Sequence, residues 1–71
     1  MKENQSLYTK EPDGTIQHWY LYAWYGNRIA VATRKNAKLR DYKRYYDMNE
    51  IGVKIFLTRK EAHEQQLHFQ P

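Results

Sequence analysis

Apolar positions in this chain come in short runs broken by turn residues. The longest, Trp19 to Tyr25, is seven residues. It sits in His-Trp-Tyr-Leu-Tyr-Ala-Trp-Tyr, residues 18–25, where five of eight side chains are aromatic. Gly26-Asn27 interrupts the pattern, and Arg28-Ile-Ala-Val-Ala-Thr33 resumes it with β-branched residues. An aromatic run, a two-residue Gly-Asn break and a β-branched run predict a β-hairpin. Upstream, Glu11-Pro12-Asp13-Gly14 has turn chemistry: proline presets φ, aspartate bonds local backbone and glycine accepts positive φ. A first strand, Ser6 to Lys10, therefore folds back on a second beginning at Thr15. Asp47-Met-Asn-Glu50 has capping-box spacing before Ile51-Gly52 and predicts one short helical turn. Val53 to Leu57 reads as a strand, and Thr58-Arg-Lys-Glu61 is a capping box opening a helix to about Leu67. Residues 36–46 admit two readings. Leu39, Tyr42 and Tyr46 have helical spacing after Asn36, whereas Tyr42 to Tyr46 alone suits a tyrosine-rich strand; the strand, preceded by a basic loop, is preferred. The sum is an α+β fold, a small antiparallel β-sheet, SH3-like or partly barrelled, with one C-terminal helix.

A regular two-residue turn fixes which side chains share a face. Tyr25 then faces Arg28, Ala23 faces Ala30, Leu21 faces Ala32 and Trp19 faces Arg34. The other face holds Ile16, His18, Tyr20, Tyr22 and Trp24 with Ile29, Val31 and Thr33, joined by Leu7 and Thr9. The branched aliphatics mark this second set as the core. The first set is then a surface of Trp19, Leu21 and Tyr25 over three alanines, with arginines at both ends and Trp19 placed for a cation–π contact with Arg34. Alanines would also let the C-terminal helix lie close. Its apolar residues Ala62, Leu67 and Phe69 form no single stripe, which weakens that reading, and where the helix covers the face poorly an aromatic and arginine binding surface remains.

Seventy-one residues make one domain with a small core, since a chain this short buries only about 60% of its unfolded surface. Residues 1–5 are expected to be disordered and 69–71 frayed. Cysteine is absent, so there is no disulfide framework or thiolate metal site, which is compatible with a cytoplasmic location. The amino-terminal residues carry no apolar signal region, and no run is long enough to span a membrane. Charge changes the picture more. Between Arg28 and Arg44 lie seven basic residues against one acid, while the other five basic residues face seven acids. Such concentration points to a polyanionic or acidic partner.

Residues Ile51-Gly-Val-Lys-Ile-Phe-Leu-Thr-Arg-Lys-Glu-Ala62 resemble the closing strand and helix of many small, uncharacterised phage and prophage proteins of Gram-positive bacteria. Those tails carry a glycine, a strand ending Phe-Leu-Thr and an Arg-Glu-Glu-Ala helix start. Here Lys60 stands where an acid is usual, and Leu67 falls one position late. The resemblance implies a mobile-element origin and a small β-rich domain, and names no activity.

No phosphate loop, nucleophile elbow or paired carboxylate motif occurs, so no catalytic residue is assigned and the protein is expected not to be an enzyme. His18, His63 and His68 have no metal-ligand spacing; no metal or cofactor is expected. His18 reads as a satisfied strand residue, the other two as solvated. What remains is a basic segment interleaved with tyrosines, having cations for phosphates and rings for stacking. The expected function is a non-enzymatic protein of phage or mobile-element type that binds nucleic acid or a ribonucleoprotein. Its binding residues are Trp19, Tyr25, Arg28, Arg34, Lys35, Lys38, Arg40, Lys43 and Arg44. A protein-interaction module meeting an acidic protein surface, such as an inhibitor of a host enzyme or defence complex, and a structural homodimer are the alternatives.

Overall fold

The computed structural model of the protein describes residues 1–64. Four antiparallel strands, β1 (Ser6–Lys10), β2 (Ile16–Tyr25), β3 (Arg28–Ala32) and β4 (Lys43–Asp47), lie side by side in chain order. They form an open sheet with β1 and β4 at its edges. A 3₁₀ turn, Met48–Glu50, and a short helix, α1 (Arg59–Glu64), follow. Among the described residues, no helix is long and apolar enough to cross a membrane.

Local chemistry explains the connections. Between β1 and β2 the Gly14 amide donates to Glu11, Gly14 takes φ +91°, and the Asp13 carboxylate accepts from both the Thr15 amide and hydroxyl. At the tight hairpin Gly26 has φ +60° while Asn27 keeps negative φ. Positive φ at the first central position alone is the type II′ pattern, which matches strand twist. The expected capping box closes the 3₁₀ turn, with the Glu50 carboxylate accepting from the Asp47 amide at 2.8 Å. Residues 36–46 form no helix: the segment is a loop leading into β4.

Val53 to Leu57 is not a regular strand. Gly52 turns with φ +92°, the amides of Lys54 and Ile55 both donate to Glu50, and pairing is reduced to bridges Ile51–Ile55 and Tyr8–Phe56. At Thr58 the expected box is present in altered form. The Glu61 amide donates to the threonine hydroxyl, which itself donates to the Glu61 carboxylate. The helix's expected end near Leu67, and residues 69–71, lie outside the described residues. The N-terminal arm, for which the sequence suggested disorder, makes hydrogen bonds to the sheet and to the basic loop. The Asn4 amide donates to the Leu21 carbonyl, the Leu21 amide to Gln5, and the Asn4 side chain makes two bonds to Asn36.

The expected face assignment fails at one point. Pairing of β2 with β3 runs regularly from Tyr25–Arg28 through Trp24–Ile29 to Ala23–Ala30, then slips, so that Leu21 faces Val31 and Tyr20 faces Ala32. Tyr22 is the extra residue of a β-bulge. A one-residue slip turns every side chain beyond it to the opposite face. Trp19 and Leu21 therefore join Leu7, Ile29, Val31 and Ile55 in the core, with Tyr46, Met48 and Ile51 packed at the margin. On the β1 side, the register Leu7–Trp19 and Tyr8–His18 matches this arrangement. His18, Tyr20 and Tyr22 leave the core.

Because the bulge absorbs one residue without moving its neighbours' partners, deleting Tyr22 should leave a regular ladder with the same core. The expected loss is about 1 kcal/mol or less, the scale of the exposed cation–π contact Tyr22 makes with Lys43. Near-UV circular dichroism should keep its native form; a collapsed core in the deletion variant would contradict this register.

Candidate functional site

Strand alternation and the bulge place Tyr8, His18, Tyr20 and Tyr22 on the sheet face away from the core, above a floor that includes Ala23, Ala30 and Ala32. Tyr8 lies opposite His18 in the β1–β2 register, and their rings stack at 4.7 Å with planes 24° apart. His18 and Tyr20 follow at 4.3 Å. Cations close the row: the Arg59 guanidinium is 5.2 Å from the Tyr8 ring centre and Lys35 Nζ 5.9 Å from that of Tyr20. Beside it, Lys43 Nζ stands 4.3 Å over Tyr22. The inner rings occupy one another's faces. α1 borders it on one side, since Arg59 reaches Tyr8, and Lys10 Nζ donates to the His63 carbonyl at 3.5 Å.

His18 acts here as a ring. Its Nε2 is 2.9 Å from the Ser6 hydroxyl oxygen. Burial first, then the charges of Arg59 and Lys35, lower its pKa from 6.5, so it is neutral at pH 7. Among the strand residues sharing this face the single acid is Asp47, and Arg28 lies 3.6 Å from it.

The residues expected to bind are distributed unevenly. Trp19 is buried, 2% exposed, with its indole nitrogen donating to the Thr9 hydroxyl at 2.9 Å, so it cannot stack on a ligand. Nor does it meet Arg34. Arg44 covers it instead, 4.5 Å from the ring. Arg44 lies on the core face, pairing with Glu11 at 3.2 Å, and holds that carboxyl below its usual range, assisted by the Thr9 hydroxyl. Arg34 binds Asp41 at 2.8 Å, while the Lys38 amide donates to the same carboxylate at 2.7 Å. These bonds, the backbone one foremost, lower the Asp41 pKa. Lys43 staples the loop by donating to the carbonyls of Lys38, Leu39 and Asp41. Tyr25, Arg28, Lys35, Lys38 and Arg40 are exposed, and among the described residues the last three make no ion pair.

Sequence reasoning did not assign Tyr8, His18, Tyr20, Tyr22 or Arg59 to the site. The i, i+2 spacing of His18, Tyr20 and Tyr22 did group them; the bulge determined their side. His63 is exposed and His68 lies outside the described residues. Among the described residues no cluster of three or more His, Cys, Asp or Glu could hold a metal. Comparison with protein-family models, curated proteins and solved structures gives no match.

Proposed function

We propose that the protein is a non-enzymatic nucleic-acid-binding protein whose interface is the tyrosine and histidine row with Arg59, Lys35 and Lys43, extended by Lys38 and Arg40. The observation that carries this reading is a cation-capped row of rings on a sheet face that shares its strands with one acid, already paired. Single strands suit it best. A base stacked on an aromatic ring contributes about 1–3 kcal/mol, whereas an exposed cation–π contact contributes about 0.5–1. A base can therefore displace Lys35 from Tyr20, and the released ammonium is placed for that nucleotide's phosphate. An open sheet gives a strand access along the whole row. A protein partner with an acidic rim is the second reading, favoured by the large exposed side chains Leu39 and Tyr42 beside the basic loop.

The test is a titration of short single-stranded RNA and DNA across salt, starting near 50 mM. Reversing charge at Lys35 and Arg59 together should weaken binding at least about tenfold and reduce the salt slope by about 2. Lys54→Glu, an equal type of change on a turn packed at the core side, should alter it by no more than about twofold. Equal losses from both, or binding weaker than micromolar in wild type at low salt, reject the proposal. Recovery of one protein from a nuclease-treated lysate would then favour the second reading.

A further inference from the structure

The two edges of the sheet are unequal. At β1 the Tyr8 amide and carbonyl are both taken by Phe56, at 2.8 Å each. At β4 no segment among the described residues plays that part. The Met48 amide donates to the Asn27 carbonyl, and bonded pairs in an antiparallel ladder recur every second residue. Ile29–Tyr46 and Val31–Arg44 are thus the bonded pairs, and Lys43, Tyr45 and Asp47 turn their main-chain groups outward. Of these the Asp47 amide is held by Glu50. Among the described residues nothing outside the sheet bonds the main chain of Lys43 or Tyr45.

Protein edges are normally blunted by proline, by a bulge or by charges that repel a second strand. β4, Lys-Arg-Tyr-Tyr-Asp, has no proline and pairs with β3 without a register shift. Its charges act the other way. Set antiparallel to a second copy with a two-fold axis at Tyr45, each Lys43 lies opposite the other copy's Asp47, and no like charges meet on that face. The residues that become opposed, 43 with 47 and 45 with 45, are those whose main-chain groups point outward, so hydrogen-bond parity and charge select the same register. Tyr45, 56% exposed, meets its own copy at the axis. Opposed aromatic and opposite-charge pairs are each favourable across strands.

From these features we infer that β4 is a self-association edge: two copies pair through it antiparallel about Tyr45, forming one eight-stranded sheet. Reciprocal N–H···O bonds form at Tyr45, and each Lys43 amide donates to the other copy's Asp47 carbonyl. Both ring rows then lie on the same side of the joined sheet. An edge of this length buries less than the roughly 1,200 Å² typical of stable complexes, so the dimer is concentration-dependent.

Sedimentation of the whole chain without nucleic acid, from about 5 µM to about 500 µM, reads this directly. Wild-type mass should rise toward twice that of the chain. Tyr45→Pro removes an outward amide and no bond to β3, so it should remain monomeric with an unchanged circular dichroism spectrum. Should that variant fail to fold, Tyr45→Lys, which puts like charges at the axis, should shift half-association to at least tenfold higher concentration. Wild type monomeric throughout, or both variants associating like wild type, as they would through another surface, overturns the inference.

Discussion

Replacing Trp19 with alanine should remove about half or more of the protein's stability at room temperature. Trp19 is the largest fully buried side chain, packed with Leu7, Leu21, Ile29, Val31 and Ile55. Its ring nitrogen is satisfied by Thr9 and one ring face is covered by Arg44. Truncating such a residue costs about 3–5 kcal/mol in transfer and cavity terms. A chain of 71 residues has roughly 4–10 kcal/mol of stability in total, so the loss takes about half or more of it. Trp24 is the internal comparison: same strand, same residue type, 47% exposed beyond the bulge. Trp24→Ala should cost about 1 kcal/mol or less. Urea titrations followed by far-UV circular dichroism separate the two, the first variant's midpoint falling to about half the wild-type value or lower and the second nearly superimposing on wild type. Equal effects would show that the bulge is misplaced and that both indoles share one environment.

That contrast marks where the sequence ceased to be legible. Strands, turns and caps are local, and Pro12-Asp13-Gly14, Gly26-Asn27, Asp47–Glu50 and Thr58 each specify their connection through their own side chains or permitted φ. The bulge answers a conflict between distant segments. With a regular Gly-Asn hairpin, either Ile29 and Val31 are buried with His18, Tyr20 and Tyr22, or Trp19 and Leu21 are buried with alanines. Neither choice is good, because phenol hydroxyls and an imidazole would be taken from water in the first and branched aliphatics exposed in the second. One extra residue at Tyr22 lets both apolar sets turn inward and leaves the polar-tipped rings wet. The conflict is visible in the alternation of Trp19 and Leu21 against His18, Tyr20 and Tyr22; its solution requires knowing that bulges are cheap beside a misburied tyrosine.

The candidate site was legible in the same partial way. Charge concentration in residues 28–44 is plain from composition, but not which of those cations are engaged within the fold. Asp41 lies three to seven residues from the groups it organises, Lys38 and Arg34. The partner of Arg44 is 33 residues away across two strands. Arg59, which completes the ring row, comes from the helix start, where the sequence offered only a capping pattern. Propensity misled at Val53–Leu57, where Glu50 captures two amides that a ladder would have used.

Arg44 was expected to bind ligand and is instead held in a polar cluster over the core, between Trp19 and Glu11. Arg44→Ala should destabilise the protein by about 1–2 kcal/mol, above a surface ion pair and below a fully buried one, since its side chain is 34% exposed and that of Glu11 22%. Two parts of this loss respond differently to acid. Glu11 has a folded pKa below its ordinary 4.5, with the Arg44 hydrogen bond the largest cause and the Thr9 hydroxyl next. A depressed carboxyl contributes stability that is complete above the unfolded pKa and disappears as pH falls through the folded one. The difference between wild type and Arg44→Ala should therefore be constant above about pH 4.5 and shrink below it. It should not vanish, because the guanidinium stacked on Trp19 does not titrate and keeps about 0.5–1 kcal/mol. His18, common to both proteins, cancels in the comparison. Glu11→Gln at neutral pH should reproduce the part of the loss that acid removes, since it leaves the Arg44–Trp19 contact in place. Denaturant midpoints from about pH 7 to pH 3 check the shape, and a difference that stays flat across that range would remove the ion pair from the account. Under the proposed nucleic-acid function, affinity measured on the same variant should fall by no more than the loss of one general charge, about twofold, because Arg44 lies on the opposite face from the ring row.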